Sequence, residues 1–238
     1  MHTFADMGLN EQILKALTEI GFEEPTPIQE KSIPHILASE KDLVALAQTG
    51  TGKTAAFSLP IIHKIDPTQR QVQSLILCPT RELCIQTARA IKTFIPYLRD
   101  IDVTAVYGGA NIEGQISQLR KGPQIVVGTP GRTLDLIKRR RLKVDAIQWL
   151  VLDEADEMLT MGFKDELDGI LSETPETKQT LLFSATMPNE ISRIAQKYMH
   201  EPIEVSAGQK NIGAKNVTHT YFVVRSNDRY LALKRIAD

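Results

Sequence analysis

Two short motifs in this chain combine residue types that can bind and cleave a polyphosphate. Residues 47–54 read AQTGTGKT, and residues 153–156 read DEAD. In the first motif, Gly50 and Gly52 let the chain turn so that successive N–H groups point at phosphate oxygens. Lys53 is placed to reach the β and γ phosphates, and the Thr54 hydroxyl to ligate Mg²⁺. The first motif therefore predicts a phosphate-binding loop.

The sequence around this loop supports the same interpretation. An apolar run at 42–46 predicts a short buried strand before it, and a helix is predicted from Lys53 onward. The start of that helix adds free amides and the positive end of its dipole. Ala47 stands where the usual pattern has its first glycine. A plain tight turn is the alternative, which the strand-to-helix context disfavours.

The acidic motif follows a second apolar run, at 147–152. Nearly continuous apolarity predicts a central parallel strand covered on both faces, so Asp153 and Glu154 would stand at its carboxyl end, where such sheets bind ligands. Asp153 can hold Mg²⁺ through water, and Glu154 can orient and deprotonate an attacking water. An acidic run alone is equally typical of a solvated helix start. Its pairing with Lys53 favours a catalytic Mg²⁺–nucleotide site, with Thr54 and Asp153 as metal ligands.

Strand-like and helix-like segments alternate along the chain, which predicts an α/β fold with a mostly parallel sheet and helices on both faces. The predicted strands are 43–47, 74–78, 103–107, 124–128, 147–153, 180–184 and 203–206. The predicted helices are 52–65, 81–97, 112–121, 131–139, 165–171 and 189–198.

Composition narrows the class of protein. The 238 residues are 42% apolar, enough for a sizeable core, and 28 Lys and Arg balance 29 Asp and Glu. Any nucleic-acid contact must therefore come from a local patch. Cys78 and Cys84 show no metal-ligand spacing and predict reduced thiols, with no disulfide, in a cytoplasmic protein. No segment reads as a signal peptide or a membrane span.

Five further motifs, in order, make the chain resemble the DEAD-box RNA helicases. They are GFEEPTPIQ at 21–29, PTREL at 79–83, GG at 108–109, TPGR at 129–132 and SAT at 184–186. In this family the loop carries an alanine where Ala47 stands. The resemblance implies a RecA-like P-loop NTPase fold, ATP or ADP with Mg²⁺ as cofactors, and RNA-stimulated ATP hydrolysis.

The resemblance also implies a set of nucleotide contacts. Gln29 offers an amide that can donate and accept at the adenine edge, which guanine does not match, and Phe22 can stack on the purine. For a lone Gln or Phe, a surface amide or core packing is the alternative. The implied nucleotide-binding residues are Phe4, Phe22, Thr26, Gln29, Gln48, Thr49, Gly50, Thr51, Gly52, Lys53 and Thr54.

A second implied set would bind single-stranded or duplex RNA through its phosphates, with little sequence preference. Arg81 and Arg132 each open a helix after a strand, and ordinary surface charges are the alternative for both. The basic run at 138–141 is better explained as a solvated helix end. The implied RNA-binding residues are Pro79, Thr80, Arg81, Gly108, Gly109, Thr129, Pro130, Gly131 and Arg132.

A third group is implied to couple the two sites. The hydroxyls of Ser184 and Thr186 could bond Asp156 and so connect nucleotide and RNA. A plain cap at the strand end is the alternative.

The order of segments predicts a domain boundary near the end of the chain. We expect a RecA-like ATP-binding domain at 1–206, with the adenine motif within 1–29, and a polar linker at 207–216. A strand at 217–224 and a helix at 228–236 would begin a second RecA-like domain at 217–238. The rest of that domain, including the arginines that the family directs at the γ-phosphate, is expected to be absent. This chain alone would then hydrolyse ATP slowly and unwind nothing.

Three other functions remain as alternatives. A DNA translocase is disfavoured by Gln29 and the DEAD wording, and a non-catalytic RNA clamp by the presence of Lys53 and Glu154. A small-molecule kinase would need a lid and an acceptor pocket, which the pattern does not show. The RNA target and oligomeric state are not encoded in any motif.

Overall fold

The computed structural model describes residues 3–207 and 222–237. Its strands are β1 (Leu43–Leu46), β2 (Ser74–Leu77), β3 (Val103–Val106), β4 (Ile125–Gly128), β5 (Trp149–Asp153), β6 (Gln179–Ser184) and β7 (Ile203–Ser206). Its α-helices are α1 (Glu11–Glu19), α2 (Pro27–Ala38), α3 (Lys53–Lys64), α4 (Arg81–Phe94), α5 (Ile112–Leu119), α6 (Pro130–Lys138), α7 (Ala155–Thr160), α8 (Lys164–Glu173), α9 (Asn189–Tyr198) and α10 (Arg229–Ala237). Short 3₁₀ turns lie at Ala5–Met7 and Ser226–Asp228.

The strands form one sheet in the order β3-β4-β2-β5-β6-β1-β7, and every pairing in the described part is parallel. Parallel strands end at the same edge, so the segments that follow them meet there. β5 and β6 pair Leu152 with Leu182, and β6 pairs Ser184 with Leu46 of β1. The ends of β5, β6 and β1 are therefore neighbours.

Alternate residues of each strand point to opposite faces of the sheet and pack into two separate cores. Ala45, Ile76 and Phe183 point to one face, which α1 to α4 cover, while Leu46 and Leu77 point to the other, which α5 to α9 cover. Because both faces are buried, the central strands are apolar throughout and read as continuous runs in the sequence. The predicted α/β fold with helices on both faces is confirmed.

The seven strands and six helices predicted up to residue 206 all occur, with ends that shift by a few residues. Three helices were not predicted: α1, α2 and α7. The sequence does not indicate α2 because it contains prolines, or α7 because it begins with adjacent acids. Both features are typical of turns and caps. The predicted strand at 217–224 lies outside the described residues except for 222–224, which are not in a strand, and the predicted helix at 228–236 corresponds to α10.

Two general features complete the fold. Among the described helices, none combines the length and apolarity needed to cross a bilayer. Cys78, directly after β2, and Cys84, within α4, are free and buried in the core, and burial raises the pKa of the Cys84 thiol to about 12.

Candidate functional site

The phosphate-binding loop joins β1 to α3, as its sequence predicts. Gly50 and Gly52 have φ values of +82° and +89°, which side chains other than glycine rarely adopt. A Cβ atom added at Gly52 would lie 2.4 Å from Nε2 of Gln29. Gly52 is therefore required twice, by its backbone angle and by the close approach of α2.

Lys53 and Asp153 are buried side by side without all the hydrogen bonds they can make. Their side chains are 6% and 2% exposed, and Nζ of Lys53 and Oδ1 of Asp153 have no hydrogen-bond partner among the described residues. Burial raises the pKa of Asp153 to about 6, and the positive charge of Lys53 opposes that rise. Buried polar atoms are normally paired, so these two atoms indicate a site that a ligand completes.

Glu154 lies over the loop in a strained backbone conformation. Its φ and ψ are 53° and 52°, in the left-handed region, at a cost of about 1–3 kcal/mol for a residue other than glycine. The carboxylate accepts a hydrogen bond from Thr49 Oγ1 at 3.2 Å and lies 3.9 Å from Nζ of Lys53. The strained turn thus directs the carboxylate of Glu154 toward the phosphate-binding loop.

Gln29 connects the adenine motif to the same loop. It is 2% exposed, its Nε2 donates to Gly52 O at 3.1 Å, and its Oε1 accepts from Thr26 N at 2.9 Å. An amide has two donors and two acceptor sites, so one of each remains for a base. Gln29 therefore closes the start of α2 and can still take part in recognition.

The aromatic residues of the motif lie in a row. Phe4 is 4% exposed, and its ring centroid lies 6.2 Å from that of Phe22, which in turn lies 5.9 Å from Phe94 of α4. Phe22 is partly buried and can face a ligand. Phe4 packs against Phe22 as part of the core, and its direct contact with the nucleotide stays a prediction.

Asp156 and the segment after β6 form the predicted link between motifs. Thr186 donates to Asp156 Oδ2 twice, from N at 3.0 Å and from Oγ1 at 2.8 Å. Ser184 donates to the carbonyl oxygen of Thr186 at 2.7 Å and so reaches Asp156 largely through its neighbour. Burial alone would raise the pKa of Asp156, but hydrogen bonds from Thr186 and Ser184 outweigh burial and lower it.

The predicted RNA-binding residues follow β2, β3 and β4, which are neighbours at the other half of the sheet. Thr80 caps α4 by accepting from Leu83 N at 3.2 Å, and Thr129 precedes α6. Arg81 is exposed, with its guanidinium 5.1 Å from the ring centroid of Tyr107. Pro79 and Pro130 are buried, while Gly131 is exposed at the first turn of α6.

The side chain of Arg132 is hydrogen-bonded to the protein. Its Nη1 donates to Gln115 Oε1 at 2.9 Å, and both Nη atoms lie within 3.4 Å of Ala110 O. Gln115 is 7% exposed and also donates to Tyr107 O at 3.1 Å. Sequence analysis missed Gln115, although a polar residue beside Ile116 and Leu119 on the buried stripe of α5 is the available signal.

The basic run at 138–141 ends α6 as predicted. Arg139 pairs with Asp135 one turn earlier, with 2.7 Å between Nε and Oδ1, and both side chains are exposed. Arg140 takes a positive φ of 55° where the chain leaves the helix.

The site residues thus occupy one edge of the sheet in two groups. Residues that follow β1, β5 and β6 surround Lys53, and those that follow β2, β3 and β4 surround Arg81. No cluster of three or more His, Cys, Asp or Glu suited to a metal occurs in the described ranges. A divalent ion at Asp153 would therefore need oxygen ligands from Thr54, water and the nucleotide itself.

Comparison with known proteins agrees with this geometry. The family model described as DEAD/DEAH box helicase matches residues 26–194. "ATP-dependent RNA helicase CshA" of Listeria monocytogenes is 51% identical over 238 residues, covering 100% of this chain and 45% of the relative. "ATP-dependent RNA helicase DeaD" of Escherichia coli is 47% identical over 236 residues, covering 99% of this chain and 37% of the relative. The chain spans less than half the length of both.

A solved structure shows the same fold. The crystal structure of a DEAD box protein from the hyperthermophile Methanococcus jannaschii superposes with a TM-score of 0.84 at 42% identity. The match covers 98% of this chain and 62% of that one.

Proposed function

The chain belongs to the DEAD/DEAH box helicase family, and we propose that it is the ATP-binding, RecA-like part of an ATP-dependent RNA helicase. The relatives' names support RNA as the nucleic acid. One observation carries the nucleotide site: Lys53 Nζ and Oδ1 of Asp153 are buried without hydrogen-bond partners beside a glycine loop, at the carboxyl edge of the sheet. A bound Mg²⁺–triphosphate would supply both missing partners.

Each residue around this pair has a role that follows from its position. Lys53 would neutralise β and γ phosphate charge, and the loop amides at 48–52 would bind phosphate oxygens. Thr54 and Asp153 would hold Mg²⁺, which supplies charge neutralisation at the phosphates. Glu154 would accept the proton of an attacking water, because its backbone fixes the carboxylate over the loop.

Base selection would rest on the start of α2. Gln29 has one N–H and one lone pair left after its bonds to Gly52 and Thr26, and these fit the adenine edge. Phe22 offers a partly exposed ring for stacking. Guanine presents the opposite donor and acceptor pattern, so the site is proposed to prefer ATP.

We assign phosphate binding on the RNA to the residues that follow β2, β3 and β4. Exposed Arg81 and the amides of Gly109 and Gly131 would contact successive phosphates of one strand. Such contacts position the strand without reading its sequence. Asp156 and Thr186 stand between this group and the nucleotide group, where the coupling residues are proposed to act.

Domain organisation is part of the same proposal. Residues 1–206 would form the ATP-binding domain and 207–216 a linker, with 217–238 beginning a second RecA-like domain. Charge stabilisation by arginines of such a domain contributes roughly 10³–10⁵ in rate in related phosphoryl-transfer enzymes. The 238-residue chain alone would therefore turn ATP over slowly. Its reduced, buried thiols are in keeping with a cytoplasmic location.

Nucleotide titration tests this function directly. The chain is titrated with fluorescent ADP and GDP in Mg²⁺, and ATP turnover is measured with and without single-stranded RNA. We expect ADP to bind at least about tenfold more tightly than GDP, as one lost hydrogen bond would cause, with negligible turnover. Equal affinity for the two nucleotides would contradict the role of Gln29, and strong RNA-stimulated turnover would contradict the need for a second domain.

A further inference from the structure

We propose that Gln115 is a positioning residue for RNA binding, and that Arg132 acts with it by holding the loop at residues 107–110 rather than by gripping phosphate. The proposal rests on the proposed function, because the loop carries Gly108 and Gly109 of the RNA-binding group. Neither the adenine motif nor the phosphate-binding loop takes part in it.

Gln115 is built into the fold as a bridge. Its amide is 7% exposed, yet both ends are used: Nε2 donates to Tyr107 O at 3.1 Å, and Oε1 accepts from Arg132 Nη1 at 2.9 Å. A buried amide is expensive unless it is paired, so its retention on the apolar stripe of α5 needs a reason. The loop and Arg132 provide that reason.

Arg132 completes the bridge on the far side of the loop. Both of its Nη atoms donate to Ala110 O, at 3.4 and 3.3 Å. The loop is thus held at its first carbonyl through Gln115 and at its last through Arg132, with Gly109 turning between them at a φ of +72°. These bonds hold the guanidinium of half-buried Arg132 against Gln115 and the loop.

Arg81 differs from Arg132 in its exposure and in the groups that its guanidinium contacts. It is exposed and lies against the Tyr107 ring at 5.1 Å, and its Nη1 is 3.8 Å from where a Cβ of residue 109 would be. Its guanidinium borders the loop from the solvent side. Of the two arginines that the sequence singled out, Arg81 is placed to contact phosphate and Arg132 to shape the loop.

A loop that is fixed before binding spares the complex the entropy of ordering it. Loss of the bridge should therefore weaken RNA binding without touching any phosphate contact. Gln115→Leu removes both hydrogen bonds at nearly the same volume, and Gln118→Leu, an exposed position on the same helix, is the matched control. We expect single-stranded RNA affinity to fall roughly tenfold in the first and to stay unchanged in the second.

Hydrogen exchange tests whether the bridge orders the loop, independently of whether the loop binds RNA. In the free chain, Gln115→Leu should raise exchange of the amides at 107–111 at least about tenfold, while Gln118→Leu leaves it unchanged. Fluorescent ADP affinity should equal that of the wild type in both variants. A parallel fall in ADP affinity would show a general loss of structure and overturn a positioning role.

Salt dependence separates the two arginines. Each phosphate contact with a single strand contributes about 0.7 to the slope of log affinity against log salt. Arg81→Gln should lower that slope by about 0.7, whereas Arg132→Gln should lower affinity and leave the slope as in the wild type. A slope change of about 0.7 in Arg132→Gln would assign Arg132 to phosphate and overturn the proposal.

Two remaining outcomes are also distinguishable. Unchanged RNA affinity in Gln115→Leu, with wild-type chain binding RNA, would overturn the positioning role alone. If the wild-type chain binds ADP but no RNA, the RNA part of the proposed function fails, and Gln115 is left as a structural bridge whose exchange signature persists.

Discussion

The two halves of the sheet edge, both proposed to bind phosphate, differ in how their polar groups are paired. Around β1, β5 and β6, Lys53 and Asp153 have polar atoms without partners, and Glu154 has a strained backbone. Around β2, β3 and β4, the polar groups of Gln115 and Arg132 bond to the protein itself. The Lys53–Asp153 pair is therefore incomplete without its ligand, whereas the Gln115–Arg132 bridge is complete before any ligand arrives.

This difference shows what each ligand has to contribute. A buried, unsatisfied pair carries a free-energy cost that a ligand relieves on binding, so nucleotide should stabilise the chain strongly. A surface whose polar groups are already hydrogen-bonded to the protein gains little stability from its ligand. It also loses little conformational entropy when the ligand binds. Four experiments can break or sharpen this contrast.

The largest effect is expected from Lys53→Met, which removes the buried ammonium from the nucleotide half. Loss of a charge-assisted contact to phosphate should weaken fluorescent ADP binding roughly 100-fold. Isothermal titration of the chain in Mg²⁺ measures the change, with Lys92→Met at an exposed position of α4 as the control. Near wild-type ADP affinity in Lys53→Met would remove Lys53 from the site.

Glycine substitutions compare the two halves directly. Gly52→Ala forces a Cβ to within 2.4 Å of Gln29 Nε2 at a φ of +89°, and should lower the free energy of unfolding by about 1–3 kcal/mol. Gly131→Ala meets open space at the first turn of α6 and should raise it by about 0.4–1 kcal/mol. Urea denaturation of both variants measures these changes in the free energy of unfolding. A destabilised Gly131→Ala chain would refute the contrast between the crowded position 52 and the open position 131.

Asp153→Asn tests whether the ionised carboxylate of Asp153 destabilises the ligand-free chain. Burial raises its pKa to about 6, above the 3.8 of an unfolded aspartate, so the folded chain holds the proton more tightly. The resulting stability is complete below about pH 3.8 and is lost as pH rises through 6. In metal-free buffer at pH 7.5, Asp153→Asn should therefore be more stable than wild type by roughly 1–3 kcal/mol.

The pH dependence provides the control for that prediction. At pH 4.5, where folded Asp153 is largely protonated but the unfolded aspartate is still mostly ionised, the advantage of the variant should shrink to about a third. Exposed Asp145→Asn should change nothing at either pH. Equal stabilisation by Asp153→Asn at both pH values would show that ionisation of Asp153 is not its cause.

The smallest effect on the nucleotide site is expected from Ser184→Ala combined with Thr186→Ala. The backbone N–H of Thr186 still bonds Asp156, so ATP hydrolysis by the longer protein should stay close to wild type. Unwinding of duplex RNA should fall severalfold, because the hydroxyl link from Asp156 is gone. Thr160→Ala, which removes a bond to the Asp156 carbonyl instead, is the control. Equal loss of hydrolysis and unwinding would contradict coupling.

The sequence predicts the alternation of strands and helices because both sheet faces are buried and the strands are apolar throughout. It also places Lys53, Asp153 and Glu154 together, since they follow strands whose carboxyl ends meet. It does not reveal the strand order, because pairing β1 with β6 and β7 depends on packing between distant segments. The Gln115–Arg132 bridge escapes prediction for the same reason: it joins distant segments, and its other bonds go to backbone carbonyls, which any residue supplies.

The position of β1 has a consequence for how the protein is made. β1 precedes every other described strand along the chain, yet its partners are β6, at Gln179–Ser184, and β7, at Ile203–Ser206. Contacts between segments so far apart form slowly. During synthesis the phosphate-binding loop therefore emerges before β6 and β7 and stays attached to an unpaired strand until they have appeared. Nucleotide cannot assist the early stages of folding, and a nascent chain halted before β6 would expose the edge of β1 to aggregation.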